Sequence, residues 1–343
     1  MKATTSAWLL GMAAALTACG GGGGGGGSSS AVPTGGSATV PADGSSTPNA
    51  PAPAVAATPV TDVPAPTYAS ASVEAGVFRV LNDERSRCGF GEVAQNPQLD
   101  TAAGWHSAYL QTQWLAGVPA SGHLQESGRG NFTAATHEER ASRAGYTGAV
   151  DKCLAFHFLA PSQDTGNAVV RTMLASVYHQ MCMLDGNRDA GASVARVPMA
   201  VPLDILTWMT GTAPGVPLQD NSEVITYPCE GTTGVQPVKP GENPDPFNGL
   251  GLEPVLGHPI YVSAPAGQTL RLTAATVIDV NGASWPVALY HAEQDPQQKL
   301  TASQAFVVPR TPLAEGSRYS VQVQYTSNGV PFSRQFSFST GRS

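Results

Sequence analysis

Residues 172–181 read TMLASVYHQM, and together with the residues before them they set the frame for the first folded block. Val170, Met173, Leu174 and Val177 recur at the spacing of one helix face, which predicts a helix from about 165 to 181 with His179 near its end. Upstream, Val73, Val77, Val80, Leu81 and Cys88 share a helical face behind Ser72 as N-cap. A second helix opens at Asn96-Pro97, cap then proline, and carries Leu99, Ala103, His106 and Leu110 on one side. Thr136 and Glu139 form a capping-box pattern, and Gly145 closes that short helix. Downstream, 193–197 and 203–209 read as strands. The block 73–212 is therefore helices followed by strands, the mark of the α+β class.

Beyond it the punctuation changes. Residues 213–257 are rich in proline and glycine, as in PCEGTTGVQPVKPGENPDP, and read as a long ordered loop or linker pinned through Cys229. From 258 to 343 the period is two: Leu270 and Leu272 alternate with polar residues, as do Tyr319, Val321, Val323 and Tyr325. Asn328-Gly329 turns the chain back into Phe332, Phe336 and Phe338, and Asn281-Gly282 marks a second hairpin. Short strands with turns between them predict a small all-β sandwich of immunoglobulin type.

The N-terminus, MKATTSAWLLGMAAALTAC, has one lysine, a short apolar run and a Leu16-Thr17-Ala18-Cys19 ending. It has the shape of a secretory signal, too short for a permanent span. That ending resembles the bacterial lipobox, which implies residues 1–19 as a lipoprotein signal and Cys19 as the lipidated residue, anchored by acyl chains. Gly20 after the cysteine points by the same analogy to the outer membrane of a bacterial envelope. Residues 20–72, Gly/Ser- and then Pro/Ala-rich, offer little to bury and read as a disordered tether reaching on the order of 40 Å. A net charge of −7 with 18 Lys+Arg argues against a nucleic-acid partner. Besides Cys19 the chain has Cys88, Cys153, Cys182 and Cys229, an even set that predicts two disulfides in an exported protein. Three pairings are possible, and Cys88 with Cys153 and Cys182 with Cys229 is the expected one.

The stretch from about 76 to 210 resembles the CAP superfamily, also called SCP-like, which includes cysteine-rich secretory proteins, antigen 5 and pathogenesis-related class 1 proteins. The residues that carry the resemblance are LNDERSRCGFG at 81–91, LDTAAGWHSAYL at 99–110, SGHLQES at 121–127, ERASRAGY at 139–146 and TMLASVYHQM. It implies an α-β-α sandwich with a cleft of two histidines and two acids able to hold a divalent metal. His123 and His179 match the histidines. The acids would fall near Asp151-Lys152-Cys153 and Asn167-Ala168, where both are lost; Asp151 or Asp164 is the candidate replacement. Zinc is thus the candidate ion, and a site without its anions binds it poorly.

Other patterns carry less. Glu126 stands three after His123 among glycines 122, 128 and 130, a context for a solvated turn. His106 on an apolar helix face reads as a hydrogen-bonded core histidine. His137 opens HEERA, which lacks the second histidine of a zinc-protease helix. Gly89, Gly91 and Ala94 mimic a dinucleotide fingerprint but follow a helix instead of a strand. These readings converge on an envelope lipoprotein that binds a lipid, glycan or protein ligand without catalysis and needs no cofactor. The alternatives are a hydrolase using His123 or His179 as base with Glu126 as orienting group, and a structural spacer in the envelope.

Overall fold

The computed structural model describes residues 16–17, 58–120, 122–158 and 164–342. Cys19 and residues 20–57 of the expected tether lie outside the described residues, as does most of the expected signal. Among the described residues no helix is long and apolar enough to cross a membrane.

The chain is an α+β protein. A six-stranded sheet is built from β1 (Leu16–Thr17), β2 (Ala94–Gln95), β3 (Ala149–Phe158), β4 (Asp189–Val197), β5 (Leu203–Thr212) and β8 (Glu242–Asn243), in the order β2-β4-β5-β3-β1-β8. Its body is the antiparallel trio β4-β5-β3, with Leu154 opposite Thr207 and Ala192 opposite Trp208. Helices cover both faces. On one side α2 (Pro97–Leu115) and α3 (His137–Arg143) pack Leu99, Ala103, Ala141, Tyr109 and Leu110 against Met209, Ile205 and Leu154. On the other, α1 (Val73–Cys88), α4 (Thr165–Met173) and α5 (Val177–Met183) pack Phe78, Val170 and Tyr178 against Leu206, Trp208 and Ala155. The strand period of two sends alternate β5 residues into the two layers. Glycine lets the layers close: a Cβ at Gly191 of β4 would lie 2.3 Å from the backbone of α2 at Asp100.

The local signals hold. Ser72 accepts from Ala75 N, Asn96 accepts from Gln98 N and Leu99 N, and Thr136 and Glu139 close a capping box. Four expectations need correction. The helix expected over 165–181 breaks after Met173, because Ser176 is extended and α5 starts anew at Val177. The tether does not run to residue 72: Val60 N donates to Gln219 Oε1 at 2.7 Å, Val60 O accepts from Glu92 N, and Tyr68 bonds Asp100 and packs its ring at a tilt against Phe78. The 213–257 segment is ordered and tied through Cys229, but it is more than loop, since it supplies β6 (Ile225–Tyr227), β7 (Thr232–Val235) and β8. The disulfides are Cys88–Cys229 and Cys153–Cys182, with Cα separations of 5.4 and 6.2 Å, in place of the expected pairing. The end of α1 meets the β6–β7 turn, and Cys153 of β3 meets Cys182 of α5, which brings each bonded pair within disulfide range.

The C-terminal strands are β9 (Ile260–Ser263), β10 (Leu270–Asp279), β11 (Ser284–Trp285), β12 (Val287–His291), β13 (Gln304–Pro309), β14 (Arg318–Ser327) and β15 (Val330–Thr340). They form a five-stranded sheet, β11-β10-β14-β15-β7, and a four-stranded sheet, β12-β13-β9-β6. Tyr319, Val321 and Val323 of one meet Ile260, Val262 and Val307 of the other in a shared core. Asn328 and Gly329, both at positive φ, make the β14–β15 turn as a two-residue hairpin loop. The outer face of the four-stranded sheet is also covered. Its Tyr261, Tyr290, Phe306 and Val308 belong to the same core as Tyr178, Cys182 and Met183 of α5.

Candidate functional site

The two candidate histidines reach the same strand from different elements. His179 lies on α5, and its Nε2 donates to Leu154 O at 3.0 Å. His123 lies in the loop between α2 and α3, and its carbonyl accepts from Lys152 Nζ at 2.7 Å. Residues 152 to 154 of β3 therefore form the floor between them.

His179 is fully buried. Its Nδ1 faces Glu242 Oε1 at 3.1 Å and Ser176 Oγ at 2.9 Å. The Glu242 carboxylate also accepts from the backbone N–H groups of Val177, Tyr178 and His179 at 3.0, 2.8 and 3.2 Å. It thereby satisfies three of the orphan donors at the start of α5 and places an anion at the positive end of that helix. Ser176 contributes no side-chain cap there. Glu242 escaped sequence reading because it sits in the Pro/Gly-rich segment, and no local pattern links it to α5.

This arrangement closes His179 to a metal, since both ring nitrogens are engaged. It is not a catalytic triad either. Ser176 and Glu242 approach the same ring nitrogen, whereas a triad needs nucleophile and orienting acid on opposite ones, and Ser176 is fully buried.

Around His123 the site is cationic. Lys152, on the β3 position where an acid was expected, is buried, with Nζ 3.1 Å from His106 Nε2. His106 is a core residue whose Nε2 donates to Gly122 O at 2.8 Å. Burial and then the charge of Lys152 hold His123 down to about 2, with His179 and His137 adding to the effect. His137 is held to about 4, chiefly by burial; Glu138 works against the shift, while Lys152 and Arg140 work with it. The Nε2 atoms of His123 and His137 are buried and meet no hydrogen-bond partner among the described residues. A base with so low a pKa is a poor proton acceptor at neutral pH.

The acids stand elsewhere. Glu126 is exposed and pairs with Arg129 at 2.6 Å. Asp164 caps α4 through Asn167 N and pairs with Arg79 on the surface. Asp151 lines a cleft of about 250 Å3 between α5 and the loop leading to β13, together with Tyr178, Met181 and Lys299. In that loop Asp295 accepts from Tyr178 Oη and from the backbone N–H of Gln297, Lys299 and Leu300. Burial alone would raise this carboxyl, but those hydrogen bonds hold it below its ordinary value. Among the described residues no group of three or more His, Cys, Asp or Glu side chains is placed to hold a metal ion.

No protein-family model matches the chain, and no curated protein matches it.

Proposed function

We propose that the chain is an envelope lipoprotein, anchored through Cys19 and set off the outer membrane by its Gly/Ser/Pro segment, that binds a ligand without catalysing a reaction. In this reading residues 73–212 are a divergent CAP-type domain and the C-terminal β-sandwich an immunoglobulin-type display unit. The ligand class is lipid, glycan or protein, the range that the resemblance implies.

One observation carries the non-catalytic part. Of the two histidines that would define a metal cleft, His179 is spent on Glu242 and Leu154, and His123 stands beside buried Lys152 instead of an acid. A cation brought there meets an ammonium and a closed imidazole. The hydrolase reading is weakened where it was most specific: burial and Lys152 hold His123 down to about 2, and Ser176 beside His179 is fully buried.

Isothermal titration with Zn2+ tests this, using wild type, His123→Ala and His179→Ala. The expected result is no saturable heat in the micromolar range for any of them. Micromolar binding that either substitution abolishes would overturn the reading.

A further inference from the structure

We propose that the β14–β15 hairpin end carries a docking groove for the chain's own proline-rich segment, residues 48–57. The groove has a volume of about 520 Å3 and lies at the hairpin end of β14 and β15, beside the residues that precede β6. Its apolar walls are Val224, Pro265, Tyr325, Val330 and Phe332, with Glu223 and Arg334 at its margin. Tyr325 and Phe332 stack with ring centroids 5.8 Å apart. Phe332 and Val330 nevertheless stay 50% and 54% exposed, an apolar face without a cover among the described residues.

Three observations select the occupant. The first is where the described chain resumes, at residue 58. Val60 is held by Gln219, and the next residue, Asp220, accepts from Ala266 N, which adjoins Pro265 of the groove wall. The chain at residues 58–60 is therefore tied to residues that adjoin the groove wall in sequence. The second is reach: ten residues in polyproline II conformation extend about 31 Å. The third is chemistry. Residues 48–57 read PNAPAPAVAA, with Pro48 and Pro51 in a P-x-x-P spacing and no charge. Such segments seat on aromatic-lined grooves because their backbone is already extended and little entropy is lost on docking.

Docking extends the seam that residues 58–68 already make along the body. It shortens the free part of the tether and sets how far the body stands from its anchor.

The test uses the full chain carrying Cys19→Ser, which removes the expected lipid acceptor, and hydrogen-deuterium exchange of residues 222–224 and 325–334. The comparison is with Pro48→Ser/Pro51→Ser/Pro53→Ser, which keeps the segment's length, and with Phe332→Ala. The triple variant is expected to exchange at least fivefold faster at 325–334. In Phe332→Ala the same faster exchange is expected, together with loss of protection at 48–57. Equal exchange in wild type and triple variant overturns the proposal. Protection at 325–334 that rises with protein concentration and ignores the prolines also overturns it, assigning the groove to a second copy of the chain.

Discussion

Glu242 shows how one side chain can decide a local structure that its neighbours do not announce. Its carboxylate, 65 residues from Val177 in sequence, gathers the first amides of α5 and the His179 ring into one buried cluster. Replacing it with alanine leaves those amides unpaired in a dry site, where each lost charge-assisted bond counts for more than in water. Glu242→Ala is expected to lower unfolding stability by about 3 kcal/mol in denaturant titration. Ser176→Ala, which removes a hydroxyl that caps nothing, is expected to cost about 1 kcal/mol in the same measurement. Equal losses from the two would show that Glu242 is not the group that starts the helix. Lys152 makes the complementary point. Its residue type alone argues for solvent, yet β3 carries it into the layer beside His106 and His123.

At the scale of elements, legibility follows the range of the interactions involved. Ser72, Asn96 and Thr136 bond amides two or three residues away, so α1, α2 and α3 can be read from short windows of sequence. The Asn-Gly turns act just as locally. The break at Ser176 cannot be read that way, because the apolar period of 170–177 runs on through it and the stabilising carboxylate is remote. β3 is hidden for a different reason: it is an inner strand with Lys152 facing one layer and Cys153 the other, so neither alternation nor a continuous apolar run marks it. Strands β6 and β7 are short and punctuated by proline and glycine, and they form because the two C-terminal sheets offer them edges. The cysteine pairing was set by this same tertiary geometry. Non-reducing peptide mapping is expected to recover linked fragments containing Cys88 with Cys229 and Cys153 with Cys182. Recovery of Cys88 with Cys153 would contradict the packing of α1 on the β6–β7 turn.

For the whole molecule, the decisive fact is that the four-stranded sheet has a core on each side. Tyr261 and Phe306 are shared with the helical layers, so the two halves bury each other's apolar surface. A sequence divided at its linker suggests two independent units, and the packing instead ties them. Calorimetry is expected to show one unfolding transition. Its midpoint should fall with acid. Burial holds His123, His137 and His258 to about 2, about 4 and about 3. The unfolded chain binds protons near the ordinary histidine value of about 6.5 while the fold refuses them. Stability is thus fully present above about 6.5 and is lost as pH falls toward the folded values. Between roughly pH 5.5 and 4 these three groups together remove about 4 kcal/mol per pH unit. A midpoint that stays constant from pH 7 to 4.5 would mean that these imidazoles titrate freely in the folded protein.

The Cys88–Cys229 link has a mechanical meaning for a body held at one end. If the N-terminus is fixed and load is applied through the C-terminal sheets, tension leaves α1 at Cys88 and crosses the sulfur bridge to Cys229, a jump of 141 positions. Everything between those cysteines, including β3, α5 and both candidate histidines, lies off the line of force. About 500 Å of chain is thereby kept from paying out under tension, estimated at roughly 3.6 Å per residue. A tug strong enough to peel open the C-terminal sheets would strip Glu242 and the Lys299 loop from α5, yet leave the segment between the two cysteines slack behind its sulfur bridge.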